Sequence, residues 1–128
     1  MLTATTKGIK ISVETFYNPL HSRPSEHRYV FTYRITIENT SDFTVQLLKR
    51  HWSILDANGT KREVKGDGVV GVQPLIPQGE SHQYVSWANM DTDIGKMYGT
   101  YLMERHIDGE MFEVEIPEFQ LIAPFKMN

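Results

Sequence analysis

The chain contains no cysteine, so disulfides, thiolate zinc centres, iron–sulfur clusters and cysteine nucleophiles are excluded by the atoms available. Nor does it contain the run of about 18 apolar residues that a membrane-crossing helix needs. Its opening residues, MLTATTKGIKISVETFY, alternate apolar and polar side chains. They lack the basic start and the apolar stretch of about 7–15 residues that mark a secretory signal, so a cytoplasmic protein is expected. Positive charge is also short: 13 Lys and Arg against 16 Asp and Glu leave a net charge of −3 and a pI near 5.9. That balance gives no global pull toward DNA, RNA or anionic membranes, and none of these is expected as a partner. Low-complexity tracts and solenoid-length repeats are missing as well. With 128 residues, 40% of them apolar, the chain is expected to form one domain over residues 1–128 around one core.

What is present is a hydrophobic period of two. Ile9, Ile11, Val13, Thr15 and Tyr17 alternate with Lys10, Ser12, Glu14 and Phe16, the pattern of a strand with one buried face. Tyr29, Phe31, Tyr33, Ile35 and Ile37 alternate with Val30, Thr32, Arg34, Thr36 and Glu38, and this second run reads as a central strand. After the polar loop at residues 39–42, further strands are expected over residues 44–55 and 60–65, joined by the Asn58-Gly59 pair, which tolerates the positive φ of a tight hairpin. Residues 81–88, 96–106, 111–116 and 119–122 complete the set, with Pro117 admissible only at an edge or bulge. No helix of ten residues or more is expected. About seven or eight short strands in this arrangement predict an all-β Greek-key sandwich; a barrel of similar strand number would alternate in the same way.

Residues 66–71, GDGVVG, have the G-x-G-x-x-G spacing of a dinucleotide-binding turn. That fingerprint works only where the loop opens a helix whose N-terminus receives the pyrophosphate. Here Val72-Gln73-Pro74-Leu75-Ile76-Pro77 follows, and Pro77 inside a helix would cost about 3 kcal/mol. The dinucleotide reading fails, and no Gly-Lys-Ser/Thr ending supports a P-loop. Gly66, Asp67, Gly68, Val69, Val70 and Gly71 therefore read first as a turn between strands. Their second reading is a loop offering backbone N–H groups to a phosphate or other anion.

Other constellations are weaker. Asn89, Asp91 and Asp93 have the spacing of the first calcium ligands of an EF-hand, but the glycine comes late, at Gly95, and Thr100 stands where a bidentate glutamate is required. His21, His27, His51, His82 and His106 show no zinc-binding spacing. No Ser, His, Asp or Glu lies in a catalytic motif, so no nucleophile, metal site or cofactor is expected. Trp52 is expected in the inter-sheet core, with Leu48 and Ile54 on its face. Arg50 would then be partly buried and require a carboxylate or carbonyls. Lys49 and His51 would face outward and, with Lys61 and Arg62, form a modest basic patch.

Four stretches together carry a family resemblance: YVFTYRITIEN at residues 29–39, RHWSILDANG at 50–59, EVKGDGVVGVQPLIPQGESHQYVS at 63–86 and GKMYGTYLM at 95–103. In this order they resemble the ApaG family, called CorD in some bacteria, over essentially the whole chain. The resemblance implies an immunoglobulin or fibronectin type III-like sandwich. It also implies a link to cobalt and magnesium resistance and, from related domains in F-box proteins and a DNA polymerase delta-interacting protein, a role in binding other proteins. Asp93, where relatives often carry proline, and Trp87, where small residues are common, depart from the pattern. The expected function is thus a non-enzymatic interaction module with a protein partner. The alternative is a protein that binds pyrophosphate or a nucleotide through residues 66–71.

Overall fold

Alternation of side chains between two faces builds both sheets. The computed structural model describes residues 1–126. Among the described residues nine strands succeed one another: β1 (Leu2–Thr6), β2 (Ile9–Tyr17), β3 (Tyr29–Asn39), β4 (Val45–Asp56), β5 (Lys61–Asp67), β6 (Leu75–Ile76), β7 (Ser81–Met90), β8 (Ile94–Arg105) and β9 (Met111–Ile122). Among the described residues the only helical pieces are the 3₁₀ turns Pro24–Glu26 and Pro124–Lys126. One sheet has the order β1-β2-β3-β7. The other has the order β5-β4-β8-β9, with β6 pairing β4 beside the end of β5. All pairings are antiparallel.

The five large residues that alternate along β3, Tyr29 to Ile37, are all buried. They face Trp52, Met97, Tyr101 and Phe119 of the second sheet across a single core. Trp52 is 3% exposed, with its ring 5.6 Å from Tyr33, 5.8 Å from Phe119 and 6.3 Å from Tyr101, centroid to centroid. Edge-on aromatic contacts of this kind add to the area they bury.

Two irregularities in the pairing decide which residues face inward. Between Leu47 and Lys49, β4 carries one extra residue against β8, so Val45 and Leu47 face the core before the bulge, and Arg50, Trp52 and Ile54 after it. Leu48 occupies the bulge and is only half-buried, which corrects its expected place beside Trp52 on the core face. A period-two count cannot register a residue that belongs to neither face. The second irregularity, opposite Tyr98, lies at Pro117 and Glu118, and there the inward set of β9 changes from Val114 and Ile116 to Phe119 and Leu121. Residues 111–116 and 119–122 are consequently one bulged strand on a sheet edge, where proline removes no ladder bond that matters. β1, rich in Thr and Ala, and the two-residue β6 between Pro74 and Pro77 were too weakly patterned to be expected.

Truncating Trp52 to alanine leaves a void at the meeting point of three rings, and the expected loss is about 3–5 kcal/mol of stability in denaturant unfolding. Lys61→Ala, on the exposed side of β5, is expected to change stability by less than about 0.5 kcal/mol. Equal midpoints for Trp52→Ala and the parent would show that the tryptophan does not hold the sheets together.

Candidate functional site: the glycine loop and its arginine

The extra residue at Leu48 turns Arg50 into the sandwich. Directly across the β4–β5 ladder stands Gly66, and the guanidinium lies flat over it. A methyl group at Gly66 would stand 2.8 Å from Arg50 Nη2, so a side chain there would displace the guanidinium from its present seat; no positive φ is involved. Arg50 Nη1 donates to the carbonyls of Asp67 at 2.9 Å and Gly68 at 3.0 Å. The expected partial burial of Arg50 and its need for carbonyls both hold.

The loop itself is an excursion from the edge of β4. Gly68 N–H and Gln73 Nε2–H both donate to the Leu48 carbonyl, at 2.8 and 2.9 Å, and Leu47 N–H donates to Pro74 O at 3.1 Å. The bulge and the loop therefore satisfy one another's backbone. Val69 and Val72 exchange both N–H···O bonds, at 2.8 and 3.1 Å. The two residues between them, Val70 at φ 46° and Gly71 at φ 80°, make a mirror-image hairpin turn with positive φ at both centres. Val69 is buried in the core, whereas Val70 points into solvent.

This geometry bears on anion binding. The N–H groups of Gly68, Val69 and Val72 are donated to carbonyls of the chain itself. Beside the loop, Lys49, Arg50, His51, Lys65, Gly66 and Asp67 line a shallow cavity of about 400 Å³ that Thr100, Leu102 and Glu113 complete. The cations on this outer face are thus Lys49 and Lys65; Arg50 belongs to the wall, but its guanidinium lies on the inner face over Gly66. The basic patch expected from Lys61 and Arg62 is not formed: Lys61 lies near Glu63 and Tyr98, and Arg62 turns to the opposite face and donates to the carbonyl of Asn89. Neighbours on a strand point to opposite faces, so the two residues could not share a patch.

Behind Arg50 lie three tyrosines. Tyr84 and Tyr101 share a hydrogen bond between their hydroxyls. Burial pushes Tyr33, Tyr84 and Tyr101 above the ordinary phenol value of 10.0, and the positive charge of Arg50 opposes it at all three. Each stays a neutral donor and acceptor between the layers. Sequence reasoning missed this cluster because only Tyr33 read as inward-facing, and Tyr84 and Tyr101 lay unremarked within other expected strands.

The remaining candidates are dispersed. His21 packs edge-on against Trp87 at 4.9 Å, His51 lies 3.8 Å from Glu63, and His82 sits 6.4 Å from Tyr84. Asn89 is the last residue but one of β7, while Asp91 and Asp93 lie in the bend before β8. Among the described residues no three His, Asp or Glu side chains group as a metal site.

Two sheets with this pairing, closed over one aromatic core, define an all-β sandwich of the immunoglobulin and fibronectin type III-like kind. The ApaG domain profile matches residues 19–105. Proteins named Protein ApaG from Brucella canis and Brucella anthropi are 50% and 51% identical over 124 residues, covering 97% of this chain and 95% of theirs. A crystal structure from Bordetella pertussis, described as an ApaA protein, is 43% identical with a TM-score of 0.87, over 91% of this chain and 94% of that one. The C-terminal domain of wzt shares the fold at a TM-score of 0.56 and 9% identity, over 95% of this chain and 77% of that one. The chain belongs to the ApaG family.

Val70 is β-branched and held in the left-handed region, where an L-residue costs roughly 1–2 kcal/mol. Val70→Asn is therefore expected to raise stability by about 1 kcal/mol. Gly68→Ala, whose methyl would stand 2.1 Å from Val72 O at φ 64°, is expected to lower it; the reverse order in thermal unfolding would refute the turn assignment. The tyrosines give a pH dependence. Because each phenol holds its proton more tightly folded than unfolded, their contribution is complete below pH 10 and is lost as pH rises above it. Absorbance at phenolate wavelengths is expected to show three of the six tyrosines ionising only together with unfolding. Six freely titrating phenols in the folded chain would contradict the buried cluster.

Proposed function

We propose that this ApaG-family domain is a non-enzymatic cytoplasmic module that binds another protein. The observation that carries this reading is an apolar row on the outer face of the first sheet. Phe16, Thr32 and Trp87 lie side by side across β2, β3 and β7, with Val85 in the next row beside Arg34. Phe16, Val85 and Trp87 are 48%, 47% and 51% exposed. Aromatic residues beside an arginine on a rigid sheet are the composition favoured at protein interfaces. Arg34 is held in place by Glu14 at 2.8 Å and lies over the Phe16 ring. The family's link to cobalt and magnesium resistance is then indirect, acting through the partner.

The second reading, a phosphate-containing metabolite at residues 66–71, is favoured by the cavity beside the loop, toward which Lys49 and Lys65 point. It is disfavoured by the internal use of the Gly68, Val69 and Val72 N–H groups, since a backbone cradle needs those donors free.

Trp87→Ala is expected to weaken a partner captured under native conditions, and then purified, by tenfold or more, with the unfolding midpoint nearly unchanged. Undiminished affinity in Trp87→Ala and Phe16→Ala would sink the assignment of this face. Pyrophosphate, with and without magnesium, is expected to leave the unfolding temperature unchanged. Saturable protection that Lys65→Ala removes would favour the second reading instead.

A further inference from the structure

β7 forms an edge of the first sheet, and its outward backbone can be read from the pairing. Val30 O accepts from Asn18 N–H on the β2 side, so the even residues of β3 bond toward β2 and the odd ones toward β7. Tyr33, Phe31 and Tyr29 face Ser86, Ala88 and Met90, which leaves Gln83, Val85, Trp87 and Asn89 directing their N–H and C=O groups away from the sheet. Among the described residues the Asn89 carbonyl meets Arg62, and the outward groups of Gln83, Val85 and Trp87 meet no protein partner.

Every other edge is blunted and this one is not. β1 has five residues, and its Thr6 Oγ1 accepts from Glu115 N–H of β9. β9 carries Pro117 at its bulge, and the glycine loop interrupts the β5–β6 edge. β7 runs ten residues, SHQYVSWANM, with no Lys, Arg, Asp, Glu, Gly or Pro and no break in register. Soluble proteins seldom leave a long, regular, uncharged edge without a use for it.

The space beside this edge also lacks a cover. Val64 stands opposite Trp52 in the β4–β5 ladder and so faces the inner side, yet it is 40% exposed, because the first sheet stops at β7 and β5 extends beyond it. Along the same inner face, Arg62 precedes Val64, and Gly66, with Arg50 lying over it, follows. Neither arginine has a carboxylate partner among the described residues; their acceptors are the carbonyls of Asp67, Gly68 and Asn89 and the Met90 sulfur. Arg62 Nε is buried with no acceptor.

We propose that the β7 edge receives an extended segment of a partner protein, with an apolar residue over Val64 flanked at alternate positions by carboxylates facing Arg62 and Arg50. The inference rests on the protein-binding reading above and specifies the partner's chemistry. Strand addition supplies main-chain bonds to Gln83, Val85 and Trp87, and the period of two places residues i−2, i and i+2 on the inner face. The pattern is acidic, any, apolar, any, acidic. Two copies paired edge to edge through β7 do not fit as the occupant, because β7 carries no carboxylate for either arginine.

The probe is a blocked peptide, Thr-Glu-Thr-Val-Thr-Glu-Thr, titrated into the whole chain while backbone amide shifts are followed. Saturable shifts centred on Gln83, Val85 and Trp87 are expected, with a Kd on the order of 0.1–1 mM, and none with lysine in place of glutamate. Val85→Pro removes one outward N–H without touching the β3 ladder and is expected to weaken binding at least tenfold. Val64→Glu, which places a carboxylate between the arginines, is expected to do the same should the proline variant not fold. Absent saturation, equal binding of the lysine peptide, or unchanged binding in both variants would overturn the proposal, as would self-association that occupies the same amides. Continued capture of a partner through Trp87 alongside a failed peptide titration would dispose of the edge inference and leave the interaction reading standing.

Discussion

The contact between the Arg50 guanidinium and the loop at Gly66–Asp67–Gly68 is the constraint around which the rest is arranged. It uses the open space over Gly66, carbonyls turned toward the sandwich at 67 and 68, and a strand parity that sends position 50 inward. The bulge at Leu48 supplies the parity, and the Leu48 carbonyl that the bulge exposes is the acceptor that fastens the loop. Charge placed between two sheets has to be answered by polar neighbours, and the carbonyls on one side and the tyrosine hydroxyls on the other answer it. The glycine spacing that imitates a nucleotide fingerprint thus follows from accommodating one side chain and one tight turn.

How much of this could be read in the chain depends on whether a feature is periodic. The run through Tyr29, Phe31, Tyr33, Ile35 and Ile37 announced a buried strand, and Asn58-Gly59 announced its hairpin, because both are local and repeat a simple rule. Trp52 was legible for the same reason. Pro117 announced an edge or a bulge, as found, but Leu48 was not legible, since a bulge is defined against a partner strand at any distance in sequence. The site followed the same division: Arg50 was seen to need a carboxylate or carbonyls, but which groups could not be known before β5 was laid beside β4. The Tyr33, Tyr84 and Tyr101 cluster joins three strands, and its members carry no mark in sequence beyond facing inward.

The two layers also differ in how they meet solvent. The second sheet ends in charged, bulged or interrupted strands, while the first presents the row of Phe16, Val85 and Trp87 and the regular edge of β7. At the solvent side Arg62 reaches from the second sheet across to β7, as the Tyr84–Tyr101 hydrogen bond does within the core. An exposed tryptophan on a sheet face and an unprotected edge beside it carry some risk of aggregation, and the absence of cysteine removes the option of guarding that edge by a cross-link.

The position of β9 sets an order on assembly. It lies at the edge of the second sheet, yet Val114, Ile116, Phe119 and Leu121 fill the core, and it also packs against β1 and β2 at the other end of the sequence. A nascent chain lacking β9 would hold the inner faces of Met97, Tyr101 and Met103 without their neighbours. Contacts this distant in sequence form slowly, because the intervening chain must be closed before they reward it. Synthesis and folding therefore meet at β9: the core cannot close before residues 111–122 have left the ribosome, and a pause in translation upstream of Met111 would lengthen the interval in which the apolar faces it covers are accessible to chaperones.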